Sequence, residues 1–224
     1  MARLGGTIEG PNLMKIALLG AESTGKSELA RSLCTRLQES GLLVHRVDEY
    51  LREWCNTHQR TPRQDEQQHI VDTQIERVLA APANALVIAD TTPLMTAVYS
   101  QLMFNDDGLL AMALSHQALY DVTLLMGLDL PWIGDGFQRD GPHVREPVDN
   151  ALRQSLGLAG LPYQVVYGLD AQRLENAFFC ISQQAPNWAK PLTRPEPTVR
   201  WKGPCETCGD GDCEHRLFTQ LIKS

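Results

Sequence analysis

Residues 20–27 have the types and spacing of a loop that binds phosphate groups. They match the pattern G-x-x-x-x-G-K-[ST] at every fixed position, as Gly20, Ala21, Glu22, Ser23, Thr24, Gly25, Lys26 and Ser27. The two glycines allow a tight turn in which consecutive backbone N–H groups face the phosphates of a ligand. Lys26 supplies a mobile cation, and the hydroxyl of Ser27 is a ligand for Mg²⁺. The motif therefore predicts that these residues bind a nucleoside triphosphate together with Mg²⁺.

The segments on either side of the loop have the order that such a loop requires. Residues 14–19 form a short apolar run before it, which is typical of a buried strand. After it, Leu29, Leu33 and Leu37 recur at helical spacing until Gly41 ends the run. The alternative is a glycine turn that binds no ligand. The order of strand, loop and helix favours the phosphate-binding interpretation over this alternative.

Short apolar runs continue to alternate with longer helical ones, which indicates a parallel sheet with helices on both faces. We expect five strands, at residues 15–19, 43–47, 86–89, 122–126 and 163–166. Thr61-Pro62 and Thr92-Pro93 each join a capping hydroxyl to a proline suited to the first helical position, and Asp170 can cap another helix. The predicted fold is a three-layer α/β fold with a five-stranded parallel sheet. In such sheets ligands bind beyond the carboxyl ends of the strands, so the residues there are the functional candidates.

Carboxylates follow the second and third predicted strands. Phosphoryl transfer needs an acid that orients the attacking hydroxyl and another that holds Mg²⁺, directly or through water. Asp90 follows the apolar run 85–89 and suits the magnesium role, with a helix cap as the alternative. Strand alternation sends Asp48 and Glu49 to opposite faces, so only one of them enters the cleft easily. We assign Glu49 to the acceptor hydroxyl, while Asp48 fits almost equally well and a solvated strand end is the alternative for both.

A glycine-containing segment at residues 131–141 has the composition of a mobile lid. Arg139 lies beside its glycines and Arg145 follows it, and both are candidates to neutralise charge that develops on the transferring phosphate. An ordinary polar loop is the alternative, because arginine is common on protein surfaces. For Trp132, a packing role is the alternative to a role in the lid.

Composition limits the class of partner. The 224 residues are 43% hydrophobic and suffice for one substantial core plus a small appendage. The net charge is −7, and the chain has no lysine- or arginine-rich run, which argues against a nucleic-acid surface and favours a small molecule. No apolar stretch reaches the length of a membrane span, so we expect a cytoplasmic protein without a membrane partner. The sequence leaves the oligomeric state open, a homo-oligomer included.

Several of these segments together resemble the ribosylnicotinamide kinase domain of NadR-type proteins, within the phosphate-loop nucleoside and nucleotide kinases and the AAA-like ATP-binding proteins. The resemblance covers about residues 14–185. It rests on the loop at 20–27, on Glu49-Tyr50-Leu51-Arg52-Glu53, on Ala89-Asp90-Thr91-Thr92, on residues 120–125 and on Trp132-Ile133-Gly134-Asp135-Gly136. It implies phosphorylation of the 5′-hydroxyl of nicotinamide riboside by ATP and Mg²⁺, which gives nicotinamide mononucleotide for NAD salvage.

The chain also departs from this family at identifiable positions. It has no H-x-G-H-like nucleotidyl-transfer motif, and the residues before 14 are too few for that domain or a DNA-binding module, so we expect the kinase part alone. Thr92 stands where the family has a second acid, and Leu51 stands where it has glycine. These differences bear on the choice of acceptor rather than on phosphoryl transfer itself.

The last segment of the chain gives a separate signal. We expect the kinase domain at residues 14–185, followed by a proline-containing linker and tail at 186–224. Cys205, Cys208, Cys213 and His215 fall within eleven residues of this tail, and thiolate and imidazole ligands suit tetrahedral Zn²⁺. The spacing matches no standard zinc finger, so a flexible cysteine-bearing tail is the alternative to a structural zinc site.

Two classes of function are compatible with the sequence. The first is an ATP-dependent kinase that acts on a nucleoside-like small molecule. The second is a regulatory ATPase or nucleotide switch whose tail binds a partner. Glu22 and the arginine-bearing lid favour the kinase, because a switch needs a water-orienting residue and partner-facing segments that the sequence does not reveal.

Overall fold

The computed structural model describes residues 14–133 and 141–184. In this part, strands and helices alternate along the chain. The strands are β1 (Lys15–Leu19), β2 (Val44–Val47), β3 (Leu86–Asp90), β4 (Val122–Met126) and β5 (Gln164–Val166). The α-helices are α1 (Lys26–Glu39), α2 (Tyr50–His58), α3 (Gln67–Leu79), α4 (Pro93–Phe104), α5 (Leu110–Gln117), α6 (Arg145–Leu158) and α7 (Asp170–Ser182), and short 3-10 helices precede α3 (Gln64–Glu66) and α6 (Pro142–Val144).

The five strands form one parallel sheet in the order β2-β3-β1-β4-β5. Each strand agrees with its predicted position to within one residue at either end. In the central strand, Leu18 is in register with Asp90 of β3 and with Leu124 of β4. The loop that follows β1 therefore leaves the middle of the carboxyl edge, between the ends of β3 and β4.

Alternation along β1 fills two cores on opposite faces of the sheet. Ile16 and Leu18 belong to the core that α1 and α7 cover, whereas Leu19 belongs to the core under α4 and α6. All three side chains are fully buried, and burial of an aliphatic side chain contributes roughly 1.5–3 kcal/mol. The predicted three-layer α/β architecture is confirmed.

One of the predicted helix starts is confirmed, with a difference in its contacts. Pro93 is the first residue of α4, and Thr92 occupies the capping position. The hydroxyl of Thr92 makes no cap, because it donates instead to Oε1 of Gln117 at 2.6 Å.

Of the other two helix starts, that at Thr61-Pro62 is wrong, and that at Asp170 is correct in position but not in its cap. No helix begins at Thr61-Pro62, and α3 starts only at Gln67. Here the side chain of Glu66 accepts a hydrogen bond from the backbone N–H of Arg63 at 2.8 Å, and this capping interaction starts the helical segment later. Asp170 is itself the first residue of α7, and the capping position is occupied by Leu169 without a side-chain cap.

No helix within residues 14–133 and 141–184 is long and apolar enough to cross a membrane. The predicted boundary after residue 185 and the tail at 186–224 lie outside the described residues, so both stay predictions.

Candidate functional site

The phosphate-binding loop connects β1 to α1 and needs glycine at both fixed positions. Gly20 has a φ of 147°, and a Cβ there would lie 2.9 Å from Cβ of Met126. Gly25 precedes α1 with a φ of 77°, and a Cβ there would lie 2.9 Å from Cδ1 of Leu130. Left-handed backbone combined with close neighbours excludes a larger residue at either position. The loop thus brings its backbone N–H groups to the first turn of α1, where a helix favours anions.

Lys26 is buried at the start of α1, and its ammonium group lies within the loop. Nζ donates to the carbonyl oxygens of Gly20 at 2.7 Å and Ala21 at 2.9 Å. Burial lowers the pKa of Lys26, while the nearby carboxylates of Glu49 and Asp90 act in the opposite direction. The lysine therefore lies between the loop and the two acids that the sequence singled out.

Asp90 and Ser27 line the same cavity, of ≈ 490 Å³, together with Glu49. Asp90 is only 3% exposed, and among the described residues its Oδ1 has no hydrogen-bond partner. A buried carboxylate oxygen without a partner is costly unless something else binds it. The hydroxyl of Ser27 and the carboxylate of Asp90 are oxygen ligands of the kind that Mg²⁺ takes beside substrate phosphates, so the residues present fit that ion.

Backbone strain is located directly after Asp90. Thr91 has a φ of 87°, which is an outlier for a β-branched residue and costs on the order of 1–3 kcal/mol. Its backbone N–H donates to the carbonyl of Leu18 at 3.2 Å, so the strained residue is tied to the central strand. This bond holds the end of β3, and with it Asp90, beside the phosphate-binding loop.

The structure separates the neighbours Asp48 and Glu49. The side chain of Asp48 is 61% exposed and pairs with Arg46 at 2.7 Å, whereas that of Glu49 is 11% exposed. Arg52 donates two hydrogen bonds to Oε2 of Glu49, at 3.2 and 3.0 Å. Both neighbours line the cavity that contains Asp90 and Ser27, but only Glu49 also lines the cleft beside the loop, and its role in catalysis stays a prediction.

A cleft of ≈ 230 Å³ runs from the loop toward α2, α3 and α4. We call its two ends the phosphate end and the distal end. The phosphate end is formed by the loop residues Glu22, Ser23, Thr24, Gly25, Lys26 and Ser27. The distal end is formed by Leu51, Cys55, Thr61, Pro62, Gln67, Tyr99 and Met103. Glu49 and Arg52 lie in the same cleft.

The distal end is fixed by an ion-pair cluster just before α3. Glu66 accepts hydrogen bonds from both terminal nitrogens of Arg60, at 2.7 and 2.6 Å, and one from the backbone of Arg63. The hydrogen bonds from Arg60, then that from Arg63, lower the pKa of Glu66 to about 2. Because Glu66 stays ionised over the physiological range, it holds the start of α3 and places Gln67 at the cleft wall.

The two predicted lid arginines have different outcomes. Arg145 is buried at the start of α6, and its guanidinium donates to the carbonyls of Leu130 at 2.9 Å and Leu128 at 3.3 Å. It therefore holds the chain after β4, and its predicted contact with phosphates is not tested. Arg139 lies outside the described residues and stays a prediction.

The chain after β4 also touches the loop directly. The hydroxyl of Ser23 donates to the carbonyl of Ile133 at 2.8 Å and accepts from its backbone N–H at 3.2 Å. Sequence reasoning assigned Ser23 only to phosphate binding and gave no indication of this second contact.

Arg173 is a site residue that sequence reasoning missed. It is 4% exposed, and its guanidinium donates to the carbonyl of Thr24 at 2.9 Å, to Asp129 at 2.6 Å and to the carbonyl of Gly168 at 2.8 Å. It thereby ties the loop to the chain segments that follow β4 and β5. Asp129 and Gly168 follow two strand ends, so the rule that selected Asp90 could have drawn attention to them.

The described residues contain no metal site of the zinc-binding type. Between residues 14 and 184, leaving out 134–140, no cluster of three or more His, Cys, Asp or Glu side chains could hold a metal ion. The predicted zinc ligands Cys205, Cys208, Cys213 and His215 lie outside the described residues, so that site stays a prediction.

Comparison with known families identifies the domain. A family model described as an AAA domain matches residues 15–173, well over half of the chain. The matched region contains the loop, both acids and Arg173. No curated protein gives a significant match.

Two solved structures show the same fold. The NadR protein in complex with NR superposes with a TM-score of 0.66 at 19% identity, over 84% of this chain and 54% of the NadR chain. Thymidylate kinase from Ehrlichia chaffeensis superposes with a TM-score of 0.56 at 16% identity, over 78% of this chain and 100% of that chain. This chain therefore matches about half the length of the NadR chain. The predicted P-loop kinase fold is confirmed.

Proposed function

The chain belongs to the AAA domain family, and we propose that it is an ATP-dependent kinase of a nucleoside-like small molecule. The observation that carries the proposal is the cleft itself. It is lined by the phosphate-binding loop, by Glu49 and by a distal end built from other helices. A kinase needs such a second compartment for its acceptor, with an acid between the two substrates.

In this proposal the triphosphate of ATP binds along residues 20–27, with the backbone N–H groups and Lys26 around it. The ammonium group of Lys26 leaves the carbonyls of Gly20 and Ala21 and contacts the phosphates. Its charge then stabilises the negative charge that develops during transfer. Ser27 and Asp90 would hold Mg²⁺, which supplies further charge neutralisation at the phosphates.

Glu49 orients the acceptor hydroxyl. Both hydrogen bonds from Arg52 reach Oε2, so Oε1 is the oxygen that faces the hydroxyl proton. The hydroxyl oxygen attacks the γ-phosphorus, the bond from that phosphorus to the β–γ bridging oxygen breaks, and ADP leaves. The proton of the hydroxyl passes to the carboxylate of Glu49 and then to solvent.

For the acceptor, we propose the 5′-hydroxyl of nicotinamide riboside. The motifs around Glu49 and Asp90 support it, as does the likeness in fold to a NadR protein that was crystallised with NR. The same likeness extends to thymidylate kinase, so the nucleoside itself must be tested.

The test is a panel of nucleosides, nicotinamide riboside among them, incubated with the full chain, ATP and Mg²⁺. We expect a 5′-monophosphate, detected by mass spectrometry, in one-to-one ratio with ADP. ATP hydrolysis that is indifferent to every nucleoside would contradict the proposal and favour the regulatory ATPase or switch. A matched Glu49→Gln control should lose the nucleoside product and keep ATP binding.

A further inference from the structure

Three buried glutamines of this chain differ in what their side chains contact. Gln74 of α3 accepts from the backbone of Tyr50 at 2.9 Å and donates to the carbonyl of Asp48 at 3.4 Å. Gln117 of α5 accepts from Thr92 at 2.6 Å and donates to Thr123 at 2.9 Å. In each of these two side chains, both the amide oxygen and the NH₂ group therefore have a hydrogen-bond partner in the protein.

Gln67 is the exception. It is 3% exposed, as fully buried as the other two, yet among the described residues its Oε1 has no hydrogen-bond partner. A buried amide oxygen without a partner is rare in folded proteins and destabilises them. Gln67 also differs in position, because it lines the distal end of the cleft.

The surroundings of Gln67 suit a flat ring. Leu51, Pro62, Tyr99 and Met103, which line this end of the cleft together with Cys55 and Thr61, are apolar or aromatic. Sites for small molecules combine such walls with few polar groups that fix the orientation of the ligand. Rotation about the last side-chain torsion of glutamine is broad and two-fold, so the amide can present either its oxygen or its NH₂ group.

We propose that Gln67 is the residue that reads the acceptor's base, by pairing with an amide-type edge that offers an N–H donor beside a C=O acceptor. A glutamine amide forms two parallel hydrogen bonds with adenine, whose edge offers an N–H donor beside a ring-nitrogen acceptor, and an amide edge offers the same pairing with a carbonyl oxygen as the acceptor. Carboxamides and the lactam edges of nucleobases share this chemistry. The inference rests on the proposed function, since it assigns the acceptor to the distal end.

The test compares two acceptors that differ only in the amide group. These are nicotinamide riboside and N-ribosylpyridinium, which lacks the carboxamide. In the parent protein we expect kcat/KM to favour the carboxamide by on the order of 10- to 100-fold, because an acceptor without it leaves the buried amide unpaired. In Gln67→Leu this preference should fall to within a few-fold, mainly through a higher KM for the carboxamide.

Gln117→Leu is the matched control, since it removes an equally buried glutamine whose partners are all internal. It should lower the melting temperature and keep the acceptor preference. Gln67→Leu should leave the melting temperature unchanged or raise it, because it removes an unpartnered polar group. The inference is overturned if the acceptor preference survives in Gln67→Leu, is lost equally in Gln117→Leu, or is absent from the parent. The kinase proposal stands in each of these cases.

Failure of the kinase proposal gives a different result. If the parent phosphorylates no nucleoside, calorimetric titration of both compounds into the full chain with ADP and Mg²⁺ decides the inference. Tighter binding of the carboxamide that disappears in Gln67→Leu would support the reading by Gln67. Equal binding of both compounds, or binding that Gln67→Leu leaves unchanged, would overturn it.

Discussion

The phosphate end of the cleft comes from six consecutive residues, whereas the distal end comes from residues 51–103 on three helices and the chain between them. Phosphate is bound mainly by backbone N–H groups, whose directions a short glycine-containing segment can set by itself. An acceptor is recognised by side chains, which must be brought together by packing. The two ends can therefore change independently, so a common phosphate end is compatible with different acceptors.

The largest effect is expected from removing the cation of the phosphate end. Lys26→Ala should lower kcat by roughly 10³-fold with every acceptor, because the charge serves the transferring phosphate. Steady-state kinetics with ATP and nicotinamide riboside would measure the loss. The melting temperature without nucleotide should change by only a few degrees, and activity within a few-fold of the parent would rule out the proposed mechanism.

The two acids near the phosphate-binding loop, Asp90 and Glu49, should separate into different roles. Asp90→Asn should lower activity by about 10²-fold and recover part of it at raised Mg²⁺, because an amide is a weaker metal ligand than a carboxylate. Glu49→Gln should lower kcat by a similar factor with no recovery, while calorimetry shows nearly unchanged ATP binding. The same magnesium dependence in both variants would contradict this division.

A smaller effect is expected from Arg173, which holds the phosphate end through the carbonyl of Thr24. Arg173→Met should lower the free energy of unfolding by about 2–3 kcal/mol, because it leaves Asp129 and two backbone carbonyls without a charged donor. It should also weaken ATP binding, since the carbonyl of Thr24 in the loop loses its partner.

Arg36→Met is the matched control for Arg173. Each of the two variants breaks an ion pair that involves α7. The side chain of Arg173 in its pair with Asp129 is buried, whereas the pair of Arg36 with Glu175 is partly exposed. We expect at most about 1 kcal/mol from it and unchanged ATP binding. Urea unfolding and calorimetry of both variants would test this, and equal losses would show that burial of Arg173 is not what matters.

The smallest effect concerns His116, which lies near the end of α5. Burial, and then the charge of Lys15, lowers the pKa of His116 below its ordinary value of 6.5. The unfolded chain therefore takes up a proton before the folded one, so this contribution to stability is complete above pH 6.5 and is lost as the pH falls below it.

His116→Gln should reduce the fall in melting temperature between pH 7 and pH 5, with no effect on KM for either substrate. Differential scanning fluorimetry across this range measures the slope. A parent and a variant with parallel slopes would show that His116 does not titrate as expected.

The strands and the loop were predictable because their signals are local. Residues 15–19 and 86–89 are short apolar runs, and each was placed to within one residue. The helix starts were less predictable, since a capping residue has competing partners. Thr92 bonds to Gln117 across 25 positions, and Glu66 moves the start of α3 away from Thr61-Pro62.

The phosphate-binding loop, the parallel sheet and the position of Asp90 at the end of a buried strand follow from local sequence. These depend on backbone conformation and on hydrophobic periodicity, which consecutive residues specify. Only the tertiary structure separated Glu49 from Asp48, turned Arg173 onto the loop and left Gln67 without a partner at the cleft wall. The physical reason is that burial and hydrogen-bond partners of a side chain depend on residues far away in the chain, which meet only when the helices pack on the sheet.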